Sequence, residues 1–512
     1  MIGATKWPTR GLRQRLWLLV RVGLIASLCT SFLGSAQTVN PSPQPLNALI
    51  VAGGPDKDSN TAQIESHARF VAHLIPTGSK RIVLFADGNA RNQTVSSTDT
   101  TNLSEAQRAI DVLLPDDHLG AQTLTHAPKL GVRIDGPSRR NSIQRALTKL
   151  STVAAQPPAP LLIYFAGHGS RDDDDEATTH YDLWNDEELG VADLAGDLAR
   201  LPVKTPVVLV MVQCYSGAFA NVIFKDGNPK SPLTDREIVG FFSSEKNREA
   251  SGCGSETDAA DYQDFSSYFF GALCGHDRLG NLVSGADYDG DGKVTLHEAF
   301  CYALVHDASY DTPTCTSELF LKKFAELDDA MLYNTPYEKI VKAATPAQQA
   351  ALDALSTKLA LEGSDRLVKA YDRLTFENPI ARPEQLREYR TAQDKLSSLR
   401  KDTLQSLFTR WPALRWSDSA DYEKASDGAL NELNANHALC RQLIDARHEF
   451  SDADEALDNE EALLVRFTDL CESVVRAQYL RQSKDATLVA RFESLFKAEN
   501  SPLPLRTISQ QQ

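Results

Sequence analysis

Uninterrupted apolar runs alternate with segments of helical spacing through the first part of the chain. The apolar runs, which are typical of strands covered on both faces, lie at residues 48–52, 82–85, 161–165 and 207–212. Apolar residues at steps of three and four, which are typical of helices, lie between them at 64–74, 142–150 and 189–201. This alternation predicts an α/β fold of three layers, α/β/α, with a mostly parallel sheet in the middle.

The pattern changes near residue 319, after which strand-like runs disappear and the chain becomes amphipathic helix. Thr345-Pro346 is typical of a helix start, and residues 383–412 predict a long helix. The sequence therefore predicts an α/β domain at 46–318 and an all-α region at 319–512. Within the first of these, the polar stretch 89–104 predicts a surface loop.

The first 36 residues contain five basic residues and no acidic ones. The last of these basic residues is followed by an apolar run at 22–33 and then by Gly34-Ser35-Ala36. This arrangement predicts a secretory signal peptide at residues 1–36, and hence a secreted or periplasmic protein. The apolar run is too short to span a bilayer, and no later stretch is apolar enough, so we expect no membrane span.

The whole chain has 53 basic and 69 acidic residues and a formal net charge of −16. Removal of the five basic residues of the predicted signal peptide leaves a net charge of about −21 on the processed chain. Such a surface repels phosphate backbones and anionic headgroups, so nucleic acid is not an expected partner.

The two strongest predicted strands end in residues that can carry chemistry. One runs into His168 and Gly169, and the other into Gln213 and Cys214. Because functional groups gather beyond the carboxyl ends of parallel strands, His168 and Cys214 are candidates for a base and a nucleophile. Imidazole beside sulfur favours the thiolate, and the N–H groups of Gly169 and Cys214 could stabilise an oxyanion.

These motifs resemble those of the clan CD cysteine peptidases, which include legumains, caspases and metacaspases. The resemblance covers roughly residues 46–310 and rests on YFAGHGS at 164–170, QCYSG at 213–217 and LIVAGG at 49–54. It implies the caspase–haemoglobinase fold, with His168 as base, Cys214 as nucleophile and a protein or peptide as substrate.

The resemblance is incomplete around the substrate. Legumains and metacaspases carry an acidic residue two places before the nucleophile, and caspases carry a glutamine at that position. This chain has Val212 at that position, and Gln213 comes immediately before the cysteine. FFSSE at 241–245 looks like the strand that pairs with the substrate backbone in this clan. Gln213, Ser243 and Ser244 are therefore the candidate substrate-binding residues. The acidic run 172–176 is interpreted as a solvated loop, with a pocket for Lys or Arg as the alternative.

A second motif, at residues 287–298, fits the twelve-residue loop of an EF-hand. Asp287, Asp289 and Asp291 supply oxygens at loop positions one, three and five, the Lys293 carbonyl follows, and Glu298 closes the loop. These carboxylates repel one another without a cation, so we expect Ca²⁺ to bind here. A single loop without a paired partner favours a structural role.

Seven cysteines remain after removal of the predicted signal peptide, and an oxidising compartment favours disulfides. Helical segments between residues 420 and 484, with a turn near 455, would place Cys440 opposite Cys471 as one pair. The sequence does not fix how the other cysteines pair. The pairings with the shortest separation in sequence are Cys301 with Cys315 and Cys253 with Cys274. This pairing would leave Cys214 as the free thiol.

The sequence therefore favours a secreted cysteine endopeptidase with a structural calcium site. The alternative is a calcium-stabilised scaffold or interaction protein whose peptidase-like domain is inactive. Hydrolysis and transpeptidation share an acyl-enzyme, so the motifs do not separate them. The helical region 319–512 could act as an intramolecular cap, recruit substrate or mediate self-association.

Overall fold

The chain is described here by a computed structural model over residues 46–506, apart from 101, 118, 152–158, 173–175, 256, 259–261 and 375–382. The predicted signal peptide 1–36 and the middle of the acidic run 172–176 lie outside the described residues. No helix in the described ranges is long and apolar enough to cross a membrane.

A six-stranded sheet of order β11-β10-β9-β5-β1-β2 forms the centre of the fold. The strands are β1 Asn47–Gly53, β2 Arg81–Phe85, β3 Val95–Asp99, β4 Gln122–His126, β5 Leu161–Gly167, β6 Gly169–Ser170, β7 His180–Leu183, β8 Glu187–Gly190, β9 Val207–Met211, β10 Ile238–Phe242 and β11 Thr314–Cys315. All pairs in the sheet are parallel except β10 with β11. The predicted α/β fold with a mostly parallel sheet is confirmed.

Helices cover the sheet and make up the region that follows it. They are α1 Ala62–Leu74, α2 Glu105–Leu113, α3 Arg140–Ser151, α4 Val191–Leu198, α5 Phe265–Cys274, α6 Leu296–His306, α7 Thr316–Phe324, α8 Asp329–Tyr333, α9 Tyr337–Ala343, α10 Pro346–Lys358, α11 Arg366–Leu374, α12 Pro383–Arg410, α13 Tyr422–Asn434, α14 His437–Arg481 and α15 Ala486–Glu499. Thr345 caps α10, with Pro346 in its first turn, as the sequence predicts.

Both faces of the sheet are apolar because alternate residues of each central strand point to opposite sides. On β1, Ile50 and Ala52 pack in the core that also contains α1, α5 and α6. Leu49 and Val51 pack in the opposite core with α3 and α4. The sheet is therefore the middle of three layers.

One apolar core joins the helical region to the sheet. The core beneath α1 and α5 continues through Leu352 of α10 into Leu464 and Phe467 of α14. The first half of α14 packs in a separate cluster with α2, α12 and α13. The pattern change near residue 319 thus marks a change of secondary structure, and apolar packing continues across it.

The prediction of a surface loop at residues 89–104 is wrong in part. Residues Val95–Asp99 form β3, which pairs antiparallel with β4, and Val95 is fully buried. Serines and threonines flank this single valine, so the stretch is polar in sequence although its backbone bonds are those of a strand.

The predicted turn near residue 455 is also wrong, because α14 runs unbroken from His437 to Arg481. Cys440 and Cys471 lie on this one helix, where 31 residues correspond to about 46 Å. A disulfide needs Cα atoms within about 7 Å, so this predicted pair cannot form.

The two other predicted disulfides are absent as well, and all seven described cysteines are free thiols. The Cys301 thiol lies 3.4 Å from His297 Nδ1, and the Cys315 thiol lies 3.3 Å from the Ser317 hydroxyl. Cys274 contacts its neighbour His276. Short separation in sequence favoured these pairings, but the side chains are directed into separate surroundings, so Cys214 is not the single unpaired thiol.

Arg466 of α14 is almost fully buried and connects the helix to the loop after α6 by hydrogen bonds. Its guanidinium donates to the backbone carbonyls of Asp311 at 2.8 Å, Asp307 at 2.7 Å and Ser309 at 2.8 Å. It also pairs with the buried Asp307 carboxylate at 3.2 Å. Burial raises the pKa of Asp307 to about 6, although the charge of Arg466 acts in the opposite direction.

We expect Arg466→Ala to lower the free energy of unfolding by roughly 3–5 kcal/mol, because it leaves a buried carboxylate and several carbonyls without their donor. Arg447→Ala, an exposed arginine of the same helix, serves as the control and should change it by less than about 0.5 kcal/mol. Urea denaturation followed by circular dichroism measures both. Equal losses in the two variants would contradict the role assigned to Arg466.

Candidate active site

The tips of β5 and β9 lie in direct contact. The strands pair in parallel register up to Phe165 opposite Met211, and the chain then continues into His168 and Cys214. A Cβ atom added to Gly169 would lie 2.4 Å from the Cys214 carbonyl oxygen. Only a residue without a side chain fits there, so Gly169 brings the His168 segment against the Cys214 backbone.

A sharp turn directs the chain away from the sheet immediately after Cys214. Tyr215 has a left-handed backbone, with φ of 60°, and its N–H donates to the Arg248 carbonyl at 2.8 Å. A 3-10 helix, Ser216–Ile223, follows. Left-handed backbone is disfavoured for a tyrosine, and the surrounding hydrogen bonds hold it in place.

His168 is held by the Ser59 carbonyl and faces the Cys253 thiol, which is not among the predicted site residues. Its Nε2 donates to the Ser59 carbonyl at 2.8 Å. Burial acts to lower the pKa of His168, but the hydrogen bond and charge of Cys253, then Ser59 and Asp182, outweigh burial and raise it. The imidazole is therefore biased toward its charged form.

The Cys214 thiol contacts backbone rather than the imidazole. It accepts from the Ala250 N–H at 3.3 Å and donates to the Ala250 carbonyl at 3.7 Å. Burial raises the pKa of Cys214 to about 12; the hydrogen bond to Ala250 lowers it, while Cys253 and the carboxylates of Glu249 and Asp311 raise it further. In this conformation Cys214 is a protonated thiol.

Residues 250–254, termed the strap, cross the site and are fixed at both ends. The Ser251 N–H donates to the Asp311 carboxylate at 2.6 Å, and the Gly254 N–H donates to the Gln63 side chain at 2.8 Å. Asp311 also accepts from the Phe265 N–H at 3.0 Å, and burial raises its pKa well above the usual range. The carbonyl of Asp311 is itself bound by Arg466, so α14 supports the strap through this loop.

The predicted substrate-binding serines are buried beneath the site. Ser243 and Ser244 follow β10 and are fully buried. The Ser244 hydroxyl accepts from the Ser216 N–H at 3.2 Å and bonds the Gln213 carbonyl at 3.4 Å. Both serines therefore connect the ends of β9 and β10 and do not line an open groove.

Gln213 lies between the two tips and is only 1% exposed. Its Cγ would lie 2.6 Å from a Cβ at Gly169. Neither polar atom of its carboxamide has a hydrogen-bond partner among the described residues. Of the three candidate substrate-binding residues, Gln213 alone keeps free hydrogen-bonding capacity next to Cys214.

The acidic loop, residues 287–298, brings three of its carboxylates together. Oxygens of Asp287, Asp289 and Asp291 lie within 4.8 Å of one another. Asp287 also accepts the Gly292 N–H at 3.0 Å, and Gly292 has the positive φ that the sharp turn requires, at 83°. Three hard oxygen donors with this spacing suit a divalent cation such as Ca²⁺.

The other two predicted ligands make backbone hydrogen bonds. Glu298 accepts the N–H groups of Tyr288 at 2.9 Å and Thr295 at 2.9 Å, and with Thr295, the N-cap residue, it forms the capping box of α6. The Lys293 N–H donates to Asp291 at 2.8 Å. Glu298 thus lies at the base of the loop, joining its first residues to α6.

Sequence reasoning missed the residues of this site that come from loops. Ser59 and Cys253 contact His168, and Ala250 contacts Cys214, but none of them follows a predicted strand. One signal was present, since Cys253 has a glycine on each side. Cys253 was instead paired with Cys274 in a predicted disulfide, so it was not considered for the site.

We expect Gly169→Ala to lower the free energy of unfolding by about 1–3 kcal/mol, because the new methyl would overlap the Cys214 carbonyl. Gly196→Ala, where a Cβ meets nothing within 4 Å in α4, is the control and should stabilise by up to about 1 kcal/mol. Thermal unfolding of the two variants measures this difference. A Gly169→Ala variant as stable as the unmodified chain would show that the tips do not pack closely.

Neither the known protein families nor the curated proteins contain a match to this chain. Among solved structures, it is similar to the crystal structure of protein GSU0716 from Geobacter sulfurreducens, a Northeast Structural Genomics target, at 13% sequence identity. The match covers 53% of this chain and 92% of that chain, with a TM-score of 0.28. A likeness at that score carries no inference about this chain.

Proposed function

We propose that the chain is a cysteine endopeptidase in which His168 is the general base and Cys214 the nucleophile. The observation that supports this is the contact between the tips of β5 and β9, which Gly169 allows. A base and a thiol at adjacent strand tips are the two groups that thiolate acyl transfer requires.

The chemistry assigns one task to each group. Because His168 Nε2 donates to the Ser59 carbonyl, Nδ1 is the acceptor of the neutral ring and would take the thiol proton. The Cys214 thiolate then attacks the peptide carbonyl, and the N–H groups of Gly169 and Cys214 are the proposed oxyanion donors. His168 returns the proton to the leaving amine, and water releases the acyl group.

The described conformation is a resting one. Ala250 occupies the hydrogen-bonding positions of the Cys214 thiol, and a thiol of pKa about 12 carries almost no thiolate near neutral pH. Activity therefore requires the strap to leave and the substrate backbone to replace it. The region 319–512 is the proposed cap, since Glu461 of α14 pairs with Arg248 at 2.7 Å beside the strap.

A second candidate is a calcium-stabilised scaffold with an inactive peptidase-like domain. The contacts of the two thiols favour it, because Cys214 bonds to Ala250 while His168 bonds to Cys253. Reactivity of the Cys214 thiol distinguishes the two candidates. An iodoacetamide probe that labels Cys214, and labels it less after His168→Ala, supports the enzyme, whereas an inert Cys214 supports the scaffold.

We expect Cys214→Ala and His168→Ala each to lower the rate of peptide cleavage at least ~1000-fold, because each removes a group that acts on the reacting bond. The assay uses the full chain and fluorogenic peptides with Asn, Asp, Arg or Lys before the scissile bond. Cys440→Ala and His437→Ala, both on α14 away from the strand tips, are the matched controls and should retain activity. Undiminished cleavage by Cys214→Ala would exclude the proposed nucleophile.

The acidic loop is the proposed Ca²⁺ site. Its support is the approach of the Asp287, Asp289 and Asp291 carboxylates, which repel one another unless a cation lies between them. The loop leads directly into α6, which packs in the core beneath the sheet. A bound ion would therefore stabilise the fold and take no part in catalysis.

We expect Ca²⁺ to raise the melting temperature and Asp291→Asn to weaken Ca²⁺ binding at least ~10-fold, because it removes one of the clustered charges. Titration calorimetry measures the affinity, with Mg²⁺ as the comparison ion. Asp277→Asn, an acidic residue outside the cluster, is the control variant. Equal affinity in both variants, or no heat with Ca²⁺, would rule the site out.

A further inference from the structure

Two thiols share the candidate active site. Cys214 and Cys253 are both partly exposed, whereas the five other described cysteines are buried. Cys253 is hydrogen-bonded to the His168 imidazole, and its charge acts on Cys214. The Ala250 N–H, three residues before Cys253, lies 3.3 Å from the Cys214 sulfur. His168 and the two sulfurs thus form one cluster.

The segment around Cys253 is held at both ends and has glycine neighbours. Asp311 holds Ser251 on one side, and Gln63 holds Gly254 on the other. Between these anchors Cys253 has glycine on both sides, and Gly252 has a φ of 105° that other residues rarely adopt. Glycine neighbours give a cysteine the backbone freedom that disulfide geometry demands.

The surroundings also differ between the two thiols. The Ala250 backbone encloses the Cys214 sulfur, whereas the Cys253 thiol faces the His168 imidazole. Oxidation of a cysteine depends on its accessibility as well as on its chemical surroundings. Cys253 is therefore placed to meet an oxidant before the enclosed Cys214, which is placed to react next.

We propose that Cys253 is a site of oxidation by hydroperoxides and that Cys214 then closes a reversible disulfide with it. In the first step the Cys253 thiolate attacks the peroxide, the O–O bond breaks, and the alcohol or water leaves with a proton from His168. Sulfur is oxidised to a sulfenic acid, and the peroxide is reduced. In the second step Cys214 attacks that sulfur, the S–S bond forms, and water leaves with the Cys214 proton.

The disulfide has a consequence for activity that rests on the proposed function. It would occupy the Cys214 sulfur and fasten the strap over His168, so peptide cleavage would stop until a thiol reductant reopened the bond. The oxidation itself does not depend on peptidase activity. Its test therefore measures mass, and its failure is distinguishable from a failure of the proposed function.

The experiment treats the reduced full chain with hydrogen peroxide, alkylates the remaining thiols with iodoacetamide, and maps the peptides by mass spectrometry. We expect one cross-linked pair, joining the Cys214 and Cys253 peptides, which dithiothreitol separates. In Cys214→Ser we expect dimedone to trap a sulfenic acid on Cys253. In Cys253→Ser, where the hydroxyl preserves a partner for His168, we expect no cross-link and oxidation of Cys214 at least ~10-fold slower.

Cys274→Ala, which removes a buried cysteine outside the cluster, is the matched control and should form the same cross-link at the same rate. His168→Ala should slow the oxidation of Cys253 at least ~10-fold, since it removes the proton donor. The proposal is overturned by the absence of a 214–253 cross-link in the unmodified chain, or by dimedone trapping on Cys214 before Cys253.

Discussion

The buried guanidinium of Arg466 is the constraint on which the candidate site depends. It donates hydrogen bonds to the backbone carbonyls of Asp307, Ser309 and Asp311 and so fixes a loop that has no regular secondary structure of its own. The Asp311 carboxylate of that loop accepts hydrogen bonds from the N–H groups of Ser251 and Phe265. These two bonds hold the strap and the start of α5 in position. Since the strap contacts the Cys214 thiol, the surroundings of that thiol depend on a residue of the helical region.

The state of the two central groups follows from burial and from the charges near them. Burial of Cys214 favours the neutral thiol, and the nearby Cys253, Glu249 and Asp311 act in the same direction. His168 is buried as well, yet its contacts with Cys253, Ser59 and Asp182 favour the charged ring. The site thus holds an imidazole whose contacts favour its protonated form beside a thiol that is not ionised. Because Ala250 and Cys253 both belong to the strap, displacement of the strap would change the surroundings of the thiol and of the imidazole alike.

The sheet and the two strand ends that carry His168 and Cys214 could be predicted from the sequence, because both depend on the local pattern of apolar residues. Continuous apolar runs identify β1, β2, β5 and β9, and parallel packing then brings His168 and Cys214 to one edge. The strap could not be predicted, because its position depends on Asp311 and Arg466, which lie far along the chain. The unbroken α14 was missed because two helices with a turn near residue 455 were expected, although the sequence around that position contains neither glycine nor proline. The disulfides were inferred from an oxidising compartment, from the expected turn near residue 455 and from short separations in sequence, none of which determines where the side chains point.

The position of Arg466 late in the chain determines when the site can be completed during synthesis. Arg466 follows Cys214 by about 250 residues, which at ~5–20 residues per second is an interval of roughly 10–50 s on the ribosome. The strands that carry His168 and Cys214 are made early, but the loop that anchors the strap lacks its donor until α14 has been made. During that interval the strap lacks the support that Arg466 gives it through Asp311, so the Cys214 thiol acquires its final surroundings only after α14 has been made.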